Sequence, residues 1–289
     1  VPAILALGSL LAFSTRKRTV FLGTVLCAML AWLVPWPEKP GRSFRLLRVG
    51  HGQSALFLEP GRSLAFDCGD SVGGGRAARR LCEALRQAGR SRLDHLILSH
   101  GDHDHASGLP ELCLRVAIGR VWLPESPKCG AWVRLLRRHG IPFRVIPPGS
   151  ELSPLDGCRI LYPHEEGDLA GSNDGALVLH YRFPDGPRIL VTGDQEDAGI
   201  LACVSRLRRM RDPGSDIVVL PHHGRSRRFL GELLEITRPE FCLASTSLTG
   251  GLAGVPRGRL LTTATAGDLV LEQARDGRYY LEGKARVGR

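Results

Sequence analysis

The chain has 289 residues, is 43% hydrophobic and 24% charged, and carries a formal net charge of +10. This is an ordinary globular composition, and the length allows one large domain or two small ones with a sizeable core. The eight cysteines include no CxxC pair, which argues against a zinc ribbon or a thioredoxin-type site. The positive charge favours a polyanion or an anionic lipid as partner, although an arginine-rich, high-GC genome would leave the same surplus.

The first part of the chain is strongly hydrophobic. The sequence begins with valine rather than methionine, so we expect a fragment or a processed form, and residues 1–13 are typical of the tail of a truncated hydrophobic helix. Residues 19–36 carry no charge and include Trp32 and Trp36, as expected of a short bilayer span with an interfacial belt. A buried helix is the alternative, and a signal peptide is disfavoured because an apolar run precedes the basic cluster STRKR. We therefore predict transmembrane structure over residues 1–36, in an orientation that the nearly balanced flanking charges do not fix.

A proline-rich linker, residues 37–43, separates this segment from a domain over residues 44–289. Apolar residues at helical spacing in residues 76–88 predict an amphipathic helix, and the last part, residues 260–283, predicts a terminal hairpin. Strands that meet helices twice over predict two β-rich layers with helices outside, a four-layer α/β sandwich. The predicted strands lie in 44–50, 54–60, 63–69, 93–100, 121–124, 143–149, 158–163, 175–183, 188–194, 216–224 and 240–246, and two further helices lie at 131–139 and 196–209.

Polar residues follow four of the predicted strands, each beside a glycine. They are Asp67 in FDCGD, residues 100–105 in SHGDHDHASG, Asp194 in VTGD and the His222-His223 pair in LPHHG. Taken alone, an aspartate after a strand is usually a turn or cap residue, and a histidine pair is usually at the surface. Their occurrence together at strand ends indicates ligands that project from loops on a rigid sheet edge. Oxygen and imidazole donors without thiolate suit zinc, manganese or iron.

The spacing inside the 100–105 run predicts how its side chains divide between two ions. A loop that curls around two metals can point His100 and Asp102 at one ion. Asp104 and His105 then face the other ion, and Asp194 would bridge both. The two alternate positions, Gly101 and His103, then face away from the ions. Two ions held about 3.5–4 Å apart can share a hydroxide that forms at neutral pH.

The run reads H-x-D-x-D-H and resembles the H-x-H-x-D-H signature of the metallo-β-lactamase fold, with aspartate in place of the second histidine. With the motifs quoted below it resembles the C-terminal domain of the ComEC family, which are membrane channel proteins of natural competence that import DNA. The resemblance covers residues 44–280 and implies a metallo-β-lactamase-like αββα sandwich that follows transmembrane helices. The other motifs are VGHGQSALF (49–57), LAFDCGD (64–70), SNDGALVLHY (172–181), ILVTGDQED (189–197) and VVLPHHG (218–224).

The resemblance also implies roles for individual residues around a pair of divalent ions, zinc or manganese. Of the HHG pair, His222 is the expected ligand by analogy with related sequences, and His223 is then a catalytic proton donor or a group that supports the ligands. Asp67 would orient ligands, and Asn173 stands where most enzymes of the fold supply another histidine. The implied metal ligands are His100, Asp102, Asp104, His105, Asp194 and His222, with Asp104 also catalytic, and the implied DNA contacts are Arg225, Arg227, Arg228 and Asn173.

The implied function is that of a nuclease, a metal-dependent phosphodiesterase that degrades the DNA strand that is not imported, by means of a metal-bound hydroxide. Expected partners are DNA (single strands above all), the membrane, the transmembrane part of the same channel and the DNA-uptake machinery. The domain would lie outside the cytoplasm, in a multi-pass protein of the cell membrane. The alternatives are a small-molecule hydrolase for a thioester, lactone or phosphodiester, and a metal-stabilised module without catalysis. Arg48 and His51 depart from the D-V-G-Q-G motif of the family, which alters the expected substrate contacts and not the ligands.

Overall fold

The computed structural model describes residues 41–73, 75–162, 172–225, 228–248 and 259–282, with residues 20, 24, 25, 254, 255 and 285–287 in addition. The chain divides into two compact units, Val1–Lys39 and Pro40–Arg289. The predicted membrane segment and most of the predicted linker lie outside the described residues. Within the part of the chain that is described, no helix is both long enough and apolar enough to cross a bilayer.

Strands and helices alternate through the second unit. The described strands are β1 (Ser43–Leu46), β2 (Ala55–Glu59), β3 (Arg62–Phe66), β4 (Arg92–Ile97), β5 (Ala117–Pro124), β6 (Phe143–Ile146), β7 (Glu151–Leu152), β8 (Cys158–Leu161), β9 (Val178–Arg182), β10 (Arg188–Val191), β11 (Ile217–Val219), β12 (Phe241–Ala244), β13 (Leu260–Thr262), β14 (Leu269–Gln273), β15 (Tyr279–Leu281) and β16 (Ala285–Val287). The described helices are α1 (Gly75–Gln87), α2 (His103–Ala106), α3 (Leu109–Arg115), α4 (Gly130–Arg138), α5 (Asp197–Arg208), α6 (Leu230–Thr237) and α7 (Thr263–Ala266), and single helical turns lie at Pro127–Cys129, Asn173–Gly175 and Pro221–Gly224.

The strands form two sheets, each with a parallel half. The first sheet has the order β16-β15-β14-β1-β2-β3-β4-β5-β6, and the second has the order β13-β12-β11-β10-β9-β8-β7. Strands β3 to β6 run parallel in the first sheet, and β10 to β13 run parallel in the second. Parallel neighbours end at the same edge of a sheet, so the loops that follow β3 and β4 lie side by side, as do those that follow β10 and β11.

The core has three apolar layers. The layer between the sheets contains Phe57 and Tyr181, whose ring centroids are 4.5 Å apart. A second layer packs the first sheet against residues such as Leu81 of α1, and a third packs the second sheet against residues such as Val204 of α5. Helices therefore cover the outer faces of both sheets, and the two-sheet α/β architecture predicted from the sequence is confirmed.

One charged group lies between the sheets. Glu59 of β2 is 3% exposed, and the Tyr181 hydroxyl of β9 donates a hydrogen bond to its carboxylate. Arg42 Nε lies 3.4 Å from the same carboxylate. A buried carboxylate is tolerated when it is paired in this way, so the contact ties the first sheet to the second at a defined register.

The end of the chain differs in part from the prediction of a single terminal hairpin over residues 260–283. Strands β14 and β15 form that hairpin, but β13 joins the second sheet, where it pairs in parallel with β12. The short helix α7 separates the two, because the Thr262 side chain accepts a hydrogen bond from the Thr265 amide and Gly267, at φ 88°, ends the helix. A hairpin pattern alone does not show that its first strand pairs elsewhere.

We expect Phe57→Ala to lower the free energy of unfolding by about 3–5 kcal/mol, because it leaves a cavity between the two sheets. Urea denaturation followed by circular dichroism measures the change. Leu114→Ala is the matched control, since Leu114 is 77% exposed and its truncation should cost less than about 0.5 kcal/mol. Equal losses in the two variants would contradict the packing of the sheets.

Candidate metal centre

The four polar motifs meet where the parallel strands end. Asp67 follows β3, residues 100–105 follow β4, Asp194 follows β10 and the histidine pair follows β11. The amide of Leu177 donates a 2.7 Å hydrogen bond to the Ser99 carbonyl, which joins the loop after β4 to the second sheet. Loops from both sheets thus contribute side chains to one site.

Four side chains offer donor atoms to a common point. Each of them contributes one nitrogen or oxygen, and these atoms all lie within 4.8 Å of one another. The His105 Nε2 atom is 3.0 Å from Asp194 Oδ1, and the His223 Nε2 atom is 3.2 Å from Asp104 Oδ2. We call these four residues the donor group: Asp104, His105, Asp194 and His223.

The chemistry of the donor group fits a divalent ion. Within the described residues, His105 Nε2 and Asp194 Oδ1 are buried and make no hydrogen bond of acceptable geometry, although they lie 3.0 Å apart. Buried polar atoms without partners are rare and costly, and a cation between them would satisfy both. Two imidazoles and two carboxylates are donors that zinc, manganese and iron accept.

The electrostatics of the donor group also favour a cation. Burial opposes protonation of His105, but the carboxylates of Asp194 and Asp67 outweigh it and raise the pKa of the imidazole above its usual range. Burial likewise acts to raise the pKa of the Asp194 carboxyl, and His105 and His223 overcome it and hold this pKa well below its usual range. Both shifts show that the site favours a positive charge beside ionised carboxylates, and a bound metal ion would supply that charge.

Asp67 fixes the orientation of His105. The Nδ1–H of His105 donates to Asp67 Oδ2 over 2.8 Å, so Nε2 is the nitrogen that faces Asp194 and could bind an ion. The Ser99 amide and hydroxyl donate to Asp67 over 2.7 and 2.8 Å, and the Gln53 side-chain amide donates over 3.2 Å. Asp67 is fully buried and has a left-handed backbone, with φ 60°, which turns its carboxylate toward the histidine.

Two glycines allow loops to close over the ligand helix α2. A Cβ atom on Gly69 would lie 2.4 Å from the Asp104 carbonyl carbon, and one on Gly52 would lie 2.8 Å from the Asp104 oxygen. The Cys68 amide donates to the His105 carbonyl over 2.8 Å, and the Gln53 amide donates to the Asp104 carbonyl over 3.1 Å. The VGHGQ and FDCGD motifs therefore hold the backbone of the two ligand residues in place.

His100 and Asp102 form a second, separate pair beside the donor group. The His100 Nε2 atom is 3.6 Å from Asp102 Oδ2, and the His100 ring centroid is 4.3 Å from that of His105. The Ser99 hydroxyl donates to Asp67, so His100 Nδ1, 2.9 Å away, donates to Ser99 and leaves its Nε2 lone pair free. Burial, with the help of His105, lowers the pKa of His100 to about 4, so the imidazole is neutral at physiological pH. We call this pair the His100–Asp102 position.

The histidine pair is arranged differently from the sequence-based assignment, in which His222 was the ligand and His223 the proton donor. His223 belongs to the donor group, and its Nδ1–H donates to the Ser245 carbonyl over 2.9 Å. His222 is not part of the donor group, and its Nδ1 atom lies 3.3 Å from the Glu196 carboxylate. Both histidines have left-handed backbone, with φ 49° and 57°, a conformation that residues other than glycine seldom adopt.

Three of the four residues expected to contact substrate lie in the described part of the chain. Arg225 is exposed, and its Nη1 atom is 3.2 Å from His222 Nε2. Asn173 donates to Glu196 over 3.4 Å. Arg228 is exposed, with its guanidinium 5.3 Å from the centroid of the Phe229 ring, and Arg227 lies outside the described residues.

Sequence reasoning missed other residues near the centre. The His51 ring centroid lies 4.4 Å from that of His223, with the ring planes tilted by 47°, and its Nε2 atom is 3.9 Å from Asp104 Oδ2; the sequence shows His51 only as a departure from a motif. Ser99 and Gln53 lie within the quoted motifs SHGDHDHASG and VGHGQSALF without having been assigned a role, and a polar residue at the end of an apolar strand is the signal that could have found Ser99. His103, the middle histidine of the run, is exposed, in keeping with its expected position outside the site.

Taken together, two packed sheets and a largely buried His/Asp donor group at their strand ends define an α/β sandwich with a candidate metal site. The family model described as the metallo-beta-lactamase superfamily matches residues 47–239, and the chain belongs to that superfamily. Among solved structures it is similar to Tm1679, a metal-dependent hydrolase of the beta-lactamase superfamily, with a TM-score of 0.54 and 15% identity. That match covers 79% of this chain and 98% of the other, and at this identity it supports the fold alone.

Two curated relatives match most of the chain. The chain is similar to Recombination protein 2 of Haemophilus influenzae, with 25% identity over 227 residues, which are 78% of this chain and 26% of that protein. It is also similar to Competence protein ComA of Neisseria gonorrhoeae, with 29% identity over 198 residues, 68% of this chain and 26% of that protein. The resemblance to the ComEC family is confirmed, and the chain spans about a quarter of the length of these relatives.

We expect Asp67→Asn to weaken binding of Mn²⁺ or Zn²⁺ by roughly 10–100-fold, because His105 loses the carboxylate that orients it. Asparagine keeps the shape and tolerates the left-handed backbone, so the circular dichroism spectrum should not change. Isothermal titration of the metal-stripped full chain measures the affinity. His103→Ala, an exposed residue of the same helix as His105, is the control and should bind as the wild type does, and an unchanged affinity in Asp67→Asn would refute the orienting role.

Proposed function

We propose that this chain is a metal-dependent phosphodiesterase that hydrolyses DNA, the nuclease domain of a ComEC-like DNA-uptake channel. The observation that carries the proposal is the donor group, which lies at the strand ends of a metallo-β-lactamase-superfamily fold in a relative of competence proteins. The membrane, the transmembrane part of the channel and the uptake machinery are its proposed partners. On this proposal the domain faces the extracytoplasmic side, where the strand that is not imported is released.

In this proposal the donor group holds one divalent ion, zinc or manganese, with His223 in place of His222. The His100–Asp102 position, with help from Asp194, is the place for a second ion. Bound there, divalent ions would activate water for attack on phosphorus and neutralise charge on the attacking and leaving oxygens.

The surrounding residues have supporting roles in the proposed reaction. Asp67 keeps the proton on His105 Nδ1, and the Ser245 carbonyl keeps the proton on His223 Nδ1. The Nε2 atom of each ring would then donate its lone pair to the ion. His51 is about one third exposed above the donor group, where its ring can hydrogen-bond a phosphoryl oxygen. Arg225 extends from the same loop as His223 and would neutralise a backbone phosphate.

We expect the full chain, purified in a non-ionic detergent and loaded with Mn²⁺ or Zn²⁺, to cut labelled single-stranded DNA, and Asp104→Ala to reduce the rate by roughly 100-fold or more through loss of a ligand. Gel electrophoresis of the products measures both. His103→Ala is the matched control and should cut at the wild-type rate. Equal rates in wild type and Asp104→Ala, with both folded, would refute the nuclease proposal.

The salt dependence of hydrolysis by the same protein distinguishes a nuclease from the main alternative, a small-molecule hydrolase on this fold. DNA binding by basic residues weakens steeply with salt, with a slope of log affinity against log salt near −0.7 for each phosphate contacted on a single strand. We therefore expect DNA cleavage below saturation to fall between 50 and 200 mM salt, while hydrolysis of a small phosphodiester hardly changes. Turnover of a thioester or lactone with no DNA cleavage would favour the alternative.

A further inference from the structure

A lysine holds one of the expected metal ligands. The Lys128 Nζ atom lies 2.6 Å from Asp102 Oδ1 and 2.8 Å from Asp102 Oδ2, so the ammonium contacts both oxygens of the carboxylate. The contact is a charge-assisted hydrogen bond between partly exposed side chains, with Lys128 40% and Asp102 30% exposed, so solvent screens it in part. The carboxylate that the H-x-D-x-D-H pattern assigns to an ion is thus already paired with a positive charge of the chain itself.

The fold brings Lys128 to this place. Lys128 lies in the helical turn Pro127–Cys129, and a Cβ atom on Gly101 would come within 2.5 Å of its carbonyl carbon. The Trp132 indole donates to the Gly101 carbonyl over 2.9 Å, which binds the same loop to α4. The backbones on both sides of the Lys128–Asp102 contact are therefore held together, and less conformational freedom is lost when the side chains meet.

The two halves of the centre are consequently unequal. In the donor group, His105 Nε2 and Asp194 Oδ1 have no hydrogen-bond partner among the described residues and face a common point. At the His100–Asp102 position, His100 Nε2 is likewise buried without a partner, but the carboxylate 3.6 Å away is engaged by Lys128. A second divalent ion would have to displace the ammonium or share Asp102 with it, and like charges at this distance repel.

We propose that Lys128 makes the metal centre asymmetric: it competes with a divalent cation for Asp102, so that the chain binds one ion tightly in the donor group and a second one weakly at the His100–Asp102 position. This inference rests on the metal centre of the proposed function and does not require that DNA be the substrate. Lys128 thereby sets the metal concentration at which the second ion joins the first.

The test is a Mn²⁺ titration of the full chain, purified in a non-ionic detergent and stripped with a chelator, by isothermal calorimetry together with elemental analysis after dialysis. We expect the wild type to bind one ion tightly and a second at least tenfold more weakly. Lys128→Met keeps the length of the side chain and removes its charge, and it should tighten the second step by tenfold or more and leave the first unchanged. Lys128→Arg should keep the weak second step.

Two further variants complete the design. Arg138→Met removes one positive charge from an exposed residue of α4 and should leave both steps as in the wild type. Asp102→Asn combined with Lys128→Met should abolish the second step, which assigns that step to Asp102. Circular dichroism of each variant checks that it is folded.

The results that would overturn the inference are two equal steps in the wild type, or a second step that Lys128→Met leaves unchanged. If the chain binds no ion, the inference fails together with the metal centre. If the two unequal steps are found and Lys128→Met tightens the second, but no DNA is cut, the inference stands and only the proposed function fails.

Discussion

His105 is completely buried, and its two ring nitrogens face two carboxylates, with Nδ1 2.8 Å from Asp67 and Nε2 3.0 Å from Asp194. Ionised groups in the interior are destabilising unless each lies beside an opposite charge, and a buried carboxylate without one would cost several kcal/mol. The fold must therefore hold β3, β4 and β10 at fixed relative positions, because each of these strands delivers one member of the arrangement. The sheet-to-sheet core and the backbone hydrogen bonds of the surrounding loops provide that rigidity.

The same requirement accounts for the glycine-rich loops around the site. Gly52 and Gly69 leave room for the β1–β2 loop and the loop after β3 to hydrogen-bond directly to the backbone of residues 104–105. Since the second nitrogen of each imidazole in the donor group is already bonded, to Asp67 in one case and to the Ser245 carbonyl in the other, the rings cannot rotate freely. A site fixed in advance loses little entropy when a ligand binds, which favours affinity and defined geometry.

Much of this could be predicted from the sequence, because strand ends and ligands are local signals. Apolar runs followed by a polar residue and a glycine placed Asp67, the 100–105 run and Asp194 at strand ends without knowledge of the strand order, but not on the two different sheets that carry them. His222 was the expected ligand of the pair, whereas the structure brings His223 into the donor group; both residues have positive φ, and residue type alone does not show which ring then lies beside the carboxylates. The contact between Lys128 and Asp102 could not be predicted from the sequence either, because it arises from the packing of two loops that are distant in sequence.

The central claim is that the most tightly bound divalent ion lies in the donor group, with His105 and His223 as its two imidazole ligands. X-ray absorption at the zinc edge, on the full chain loaded with one equivalent of Zn²⁺, counts the imidazoles around the ion directly. We expect two in the wild type and in His222→Ala, and one in His223→Ala. Loss of an imidazole in His222→Ala with both retained in His223→Ala would contradict the account.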